Sequence, residues 1–205
     1  MKTKLFLVDA DSPAEQSIKE VAEIIRHGGV AAIPTETVFG LGCDAGNKEA
    51  VKKLYTIKKR PAGKPFTIQI ATFDQLADYL DKLPPGVEKF LKEFWPGPLT
   101  ALLKGKDGKI GLRMPDNKTT LSIIKEAKVS LAVTSANISG DRDVSSAKDA
   151  FKVFDGSIEA VVDDGIIAKG IASTVVDCTT LPYKILREGT IADKIKKYLE
   201  DNGCD

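Results

Sequence analysis

The sequence has 205 residues, 42% hydrophobic and 29% charged, a balance that supports a buried core and excludes disordered and fibrous chains. Thirty Lys and Arg face 29 Asp and Glu for a net charge of +1, so neither a basic nucleic-acid coat nor an acidic solvating chain fits, and any positive field must be local. Cys43, Cys178 and Cys204 are odd in number and form no CxxC, which argues against a disulfide framework and a zinc site.

In chain order, Lys4 to Val8 reads as a short apolar strand, and Ser12-Pro13-Ala14-Glu15 as a helix start with Ser12 as N-cap. Ile18, Val21, Ala22 and Ile25 follow at helical spacing, and Gly28 ends the helix. Val30 to Ile33 is a second strand, running into Pro34-Thr35-Glu36-Thr37. Asn47 then caps a helix whose inner face is Ala50, Val51, Leu54 and Tyr55. Further strands are predicted at 66–70, 99–103, 110–113, 131–134, 160–162, 173–178 and 184–186. Helices are predicted near 74–81, 85–94, 118–127, 146–153 and 190–200. Strands and helices so interleaved predict an α/β fold on one large mixed sheet. The Pro and Gly clusters are turn-sized, so residues 1–205 are expected to form a single domain. No run of about 20 apolar residues predicts a membrane span and the amino terminus does not read as a signal peptide, so the expected location is cytoplasmic.

Three polar segments are expected at strand ends, where open α/β sheets bind ligands. One is PTET at 34–37, which taken alone reads as a turn. Another is KKRPAGKP at 58–65, and the third is TSANISG at 134–140. The basic run could be the solvated end of the preceding helix. Pro61, however, pushes Arg60 out of helical geometry, so Lys58 and Arg60 can point the same way while Lys59 points elsewhere. Convergent cations of this kind suit a polyanion such as a triphosphate. No GxxxxGK[ST] and no GxGxxG after a strand occurs, which leaves out the P-loop and the Rossmann fingerprint. His27, the single histidine, sits at a predicted helix end, so Ser-His-Asp catalysis and histidine-ligated metal chemistry are disfavoured.

PTETVFGLGCDA, KKRPAGKPFTIQIA, FWPGPLTALL, GLRMPDN, TSANISG, ASTVVDCTT and ILREGTI stand in the order and near the spacing of the YrdC family of threonylcarbamoyl-AMP synthases, which the sequence resembles over roughly residues 15–192 in its short form. The resemblance implies a twisted mixed β-sheet with helices on its faces around a concave basic cavity. It also implies an enzyme that joins L-threonine, bicarbonate and ATP into threonylcarbamoyl-adenylate and pyrophosphate. The product feeds the tRNA threonylcarbamoyl-transfer machinery. Carried over by position, Lys58, Arg60, Ser135 and Asn137 form the catalytic set; Thr37, Gln69, Arg113, Ser135 and Ser173 hold threonine; Lys58, Arg60, Lys64, Asn137, Ser145 and Arg187 hold ATP. Mg²⁺ is expected to ride on the nucleotide, without a protein cage. Gln69 stands where many members have histidine, and Lys64 where they often have asparagine. DRDVSSA replaces the usual Ser-Pro-Thr-Thr-Ala, and Ala172 replaces a common glutamate. The alternatives are a module binding tRNA or double-stranded RNA through phosphates alone, and a diverged paralog without synthase activity.

Overall fold

The structure is a computed structural model that describes residues 2–61, 63–168 and 170–203; Cys204 lies outside them. Among these residues the chain forms ten strands and seven α-helices. The strands are β1 (Lys4–Leu7), β2 (Ala31–Ile33), β3 (Gly40–Asp44), β4 (Thr67–Gln69), β5 (Leu99–Gly105), β6 (Gly108–Arg113), β7 (Leu131–Ser135), β8 (Ala160–Asp163), β9 (Thr174–Asp177) and β10 (Lys184–Arg187). The helices are α1 (Glu15–Arg26), α2 (Lys48–Lys58), α3 (Leu76–Tyr79), α4 (Pro85–Phe94), α5 (Lys118–Ala127), α6 (Ala147–Phe154) and α7 (Ala192–Asn202). All ten strands join one open sheet in the order β1-β8-β2-β3-β7-β4-β6-β5-β9-β10. The pairing is mixed: β1, β8 and β2 run parallel, β2-β3-β7-β4 alternate, and β4 runs parallel to β6.

Alternation along the strands sends successive residues to opposite faces. Ala31, Ile33, Leu131 and Val133 join Val21, Ile25, Ile123 and Ile124 in a core under α1 and α5. Val30, Ala32, Leu41 and Ala132 face the other way, toward Ala50 and Leu54 of α2 and Ala150 and Phe154 of α6. A third core lies among α4, α7 and the strands β5, β6 and β9, built around Phe90, Leu91, Leu99, Leu112 and Ile195.

Three local expectations need correction. The start of α1 is Glu15, with Ala14 as an N-cap that offers no side-chain bond. Ser12 stays upstream because Asp9 Oδ1 accepts from the backbone N–H groups of Asp11 and Ser12 at 2.8 and 2.9 Å, a local turn that competes with the helix. The strand β3 was not expected, because Gly40 and Gly42 depress strand propensity. They are needed there by close packing: a Cβ on Gly40 would lie 2.8 Å from Val133 Cγ1 on the neighbouring strand. The helix expected near 74–81 is instead a 3-10 turn at Phe73–Gln75 followed by the short α3.

Candidate active site

The strand register builds the floor of the site. Gln69 at the end of β4 pairs with Arg113 at the end of β6, and Thr67 with Val133 of β7. Thr67 and Gln69 on β4, Val133 and Ser135 on β7, Arg113 and Thr100 thus line one cavity of about 180 Å³. The cavity lies against the sheet, flanked by loops, and not only beyond the strand ends where the polar segments were expected to meet. Its volume is below the roughly 300–1,000 Å³ of a drug-sized pocket. It therefore suits a ligand of amino-acid size and leaves any larger group to lie across its mouth.

Arg113 is 5% exposed, and a guanidinium so buried needs partners. Its Nη2 donates to Thr37 Oγ1 at 3.0 Å and lies 2.7 Å from Glu36 Oε2. Neither Glu36 oxygen makes an aligned hydrogen bond, so Glu36 holds Arg113 by charge alone. The Thr35 hydroxyl donates to Val38 O at 2.7 Å, so its 2.9 Å contact with Thr37 is a bond given by Thr37. Thr37 is thereby fixed as an acceptor toward Arg113. Gln69 is 3% exposed and its Oε1 has no partner among the described residues. A buried unpaired amide oxygen on a cavity wall awaits a donor.

The opposite wall comes from the C-terminal part of the chain. Ser173 Oγ lies 2.8 Å from Thr100 Oγ1, and Arg187 forks onto Ser173 O through Nε at 3.1 Å and Nη2 at 2.9 Å, with Nη2 also 3.0 Å from Ser173 Oγ. Gly189 permits this approach, because a Cβ there would fall 2.3 Å from Ala172 O. Arg187 does not pair with the adjacent Glu188, which bonds Lys196 at 2.6 Å. Burial, with Arg113 adding like-charge repulsion, lowers the pKa of Arg187.

The basic segment turns in for a reason other than the one expected. The helix α2 ends at Lys58, and Lys59 caps it in the left-handed region at φ 51°, after which Arg60 N–H donates to Tyr55 O at 3.1 Å. This reversal, not Pro61, separates the directions of Lys58 and Lys59. Lys58 is 3% exposed and its Nζ donates to Ser135 O at 2.6 Å, to Ser135 Oγ at 3.2 Å and to Asn137 Oδ1. Ser135 Oγ donates to Asn137 Oδ1 at 2.8 Å, and Asn137 Nδ2 to Asp141 O at 2.6 Å. Burial, helped by the Arg60 charge and opposed by Asp143, brings the Lys58 pKa down to about 8. Arg60 packs over the Phe66 ring at 5.1 Å while its Nε and Nη2 donate to the Lys64 and Pro65 carbonyls, each at 2.9 Å.

Seven of the expected residues, Thr37, Arg60, Gln69, Arg113, Ser135, Ser173 and Arg187, line the cavity together. Lys58 and Asn137 stand behind Ser135 and join the site through it. Lys64 and Ser145 are not in the lining. Lys64 serves through its carbonyl, which also accepts from Tyr55 Oη at 2.9 Å, and the Ser145 carbonyl accepts from Ala168 N at 3.0 Å. Glu36 and Thr100 were missed. Glu36 had a signal in the sequence, a carboxylate between two threonines; Thr100 had none inside an apolar strand.

Residues 23–189 match the Sua5/YciO/YrdC family, described as Telomere recombination. The chain is 37% identical over 205 aligned positions to a protein of Bacillus subtilis named threonylcarbamoyl-AMP synthase, an alignment that covers 93% of this chain and 59% of that protein. It is 29% identical to a Marinobacter nauticus protein of the same name, covering 85% of this chain and 97% of the relative. A crystal structure of Sua5 from Pyrococcus abyssi, complexed with L-threonine, superposes with a TM-score of 0.91 at 36% identity, covering 95% of this chain and 60% of that one. This chain therefore spans about three fifths of the Bacillus and Pyrococcus proteins and nearly all of the Marinobacter one.

Proposed function

Since this chain belongs to the Sua5/YciO/YrdC family, we propose that it makes threonylcarbamoyl-adenylate and pyrophosphate from L-threonine, bicarbonate and ATP, in the cytoplasm, and passes the adenylate to the machinery that modifies tRNA. The observation that carries this reading is the cavity lining. A buried guanidinium, the hydroxyls of Thr37, Thr100 and Ser173 and an unpaired amide oxygen on Gln69 surround a space of amino-acid size. Arg113 takes the threonine carboxylate, and Gln69 Oε1 accepts from a donor of the amino acid. The neutral amine and bicarbonate give a carbamate and water, and a carbamate oxygen then attacks the α-phosphorus of ATP while pyrophosphate leaves on the opposite side. Such displacements depend mainly on in-line placement and charge neutralisation, so a dedicated base is not required.

Lys58, Arg60 and Arg187 are the cations for the phosphates, and the bonds from Lys58 to Ser135 and Asn137 fix its ammonium in advance. A divalent ion bound with the nucleotide supplies further neutralisation. Among the described residues no three His, Cys, Asp or Glu converge to hold a metal, and no helix is long and apolar enough to cross a membrane. The direct test is pyrophosphate release, expected only when ATP, threonine and bicarbonate are present together. Release that ignores threonine would contradict the reading.

The Lys58 pKa of about 8 makes nucleotide binding pH-dependent. The ammonium is charged below that pH and lost above it, so ATP affinity should fall as pH rises through about 8. Phosphates stabilise the charged form, so ATP binding near that pH should take up protons. Calorimetry in two buffers of different ionisation enthalpy reads this uptake, and Lys58→Arg, which stays charged, should abolish it. Equal heats in both buffers would leave Lys58 out of the phosphate site.

Glu36→Ala should lower stability by about 3 kcal/mol, because it leaves the Arg113 charge buried without its counter-ion. For a chain of this size that is roughly 6–12 °C in Tm. Threonine, whose carboxylate can occupy the vacated side of Arg113, should raise the Tm of this variant more than that of the parent. Thermal unfolding with and without threonine checks both, and equal shifts would remove the carboxylate from Arg113.

A further inference from the structure

The wall of the cavity carries three arginines and, among the described residues, a single carboxylate, Asp143. It lies in the Asp-Arg-Asp-Val segment after β7, and its backbone is pinned on both sides. Asn137 Nδ2 bonds Asp141 O at 2.6 Å, and Phe39 N–H donates to Val144 O at 3.0 Å with the Val144 side chain buried. Asp143 is thus held at the cavity, yet its carboxylate makes no hydrogen bond or ion pair with any described residue. Its charge still acts on Lys58 and Arg187 from beyond ion-pair reach.

A carboxylate that faces cations across open space is poorly placed for a bare polyphosphate, which it repels. The same placement becomes favourable when a divalent cation lies between the phosphates and the carboxylate. Mg²⁺ is usually held in this manner, through one or two carboxylates together with substrate phosphates and retained waters. Charge would then alternate across the site, from Lys58, Arg60 and Arg187 through the phosphates and the ion to Asp143. We propose that Asp143 is the protein's ligand, directly or through one of the ion's waters, for the divalent cation that enters with the nucleotide. This rests on the ATP reading above.

The test is Asp143→Asn, which keeps the shape and removes the charge at an exposed position. ATP is titrated by calorimetry into both proteins, once with EDTA and once with saturating Mg²⁺, and Mn²⁺ is titrated into each ATP complex while water-proton relaxation reports the bound ion. The parent should gain about tenfold or more in ATP affinity from Mg²⁺, and its ATP complex should bind Mn²⁺ about tenfold more tightly than that of the variant. The variant should bind metal-free ATP more tightly than the parent does, because the repulsion is gone, and should gain little from Mg²⁺. An equal change in ATP affinity with and without Mg²⁺, or no change at all, would overturn the assignment and leave Asp143 a bystander charge. Failure of the parent to bind ATP under either condition would overturn the nucleotide reading and this one with it. Retained ATP binding with an unaltered metal response sinks the ligand role alone.

Discussion

Lys58→Ala lowers adenylate formation by about a hundredfold or more, the effect expected when one preorganised cation is removed from a desolvated phosphoryl centre. The expectation rests on burial and on partners. Lys58 Nζ is held by Ser135 O, Ser135 Oγ and Asn137 Oδ1, so its charge is aimed before substrate arrives and needs little reorganisation. The truncation also leaves the Asn137 and Ser135 oxygens short of a donor, so a folding control belongs with the assay. Lys58→Met keeps most of the apolar stem and should show the same loss with the fold intact. Steady-state rates of pyrophosphate release, read beside thermal unfolding, check it. Near-parental activity in a folded Lys58→Met protein would reduce Lys58 to a helix-terminal structural cation.

Arg113→Lys raises the threonine requirement by roughly 10- to 100-fold and leaves the ATP requirement nearly unchanged. Hydrogen bonds to a charged group contribute about 1.5–3 kcal/mol, and each 1.4 kcal/mol is about tenfold in affinity. Lysine is the informative replacement because it preserves a positive charge for Glu36, 2.7 Å away in the parent, while losing the planar fork that a carboxylate uses. Arg113→Ala would mix this effect with the cost of an uncompensated Glu36. KM for threonine and for ATP, measured separately, decide the matter. A similar rise in both would place Arg113 at the shared interface of the two substrates and not at the amino-acid end.

The parts of this molecule that were legible in the sequence are those where local chemistry agrees with tertiary demand. The helix α5 begins after Asn117, whose Oδ1 accepts from Thr120 N at 2.8 Å, and it occupies the predicted residues 118–127. The helix α2 starts after Asn47 in the same way. The convergence of residues as far apart as Thr37, Arg113 and Arg187 was legible only through the motif pattern. Spacing along the chain cannot place Arg187 on Ser173; the antiparallel pairing of β10 with β9, which sets Arg187 opposite Val175, and the bare face of Gly189 do that. β3 escaped notice because its glycines answer to a neighbour's side chain and not to strand propensity. Lys59 shows the same limit, since a lysine in the left-handed region carries no sequence signal. Glu36 is bound to a residue 77 positions away, so its role as the charge partner of Arg113 appears only once the sheet order β2-β3-β7-β4-β6 is known.

In the proposed reaction bicarbonate carboxylates the threonine amine to a carbamate with loss of water, and the carbamate is joined to AMP with release of pyrophosphate. Incubation with ATP, L-threonine, carbon-13-labelled bicarbonate and Mg²⁺, followed by mass spectrometry of the nucleotides, tests it most directly. The predicted result is an adenylate that contains threonine and one labelled carbon, formed in step with pyrophosphate and lost when any one substrate is left out. A folded protein that binds threonine and ATP yet yields no labelled adenylate at any Mg²⁺ concentration would contradict the account.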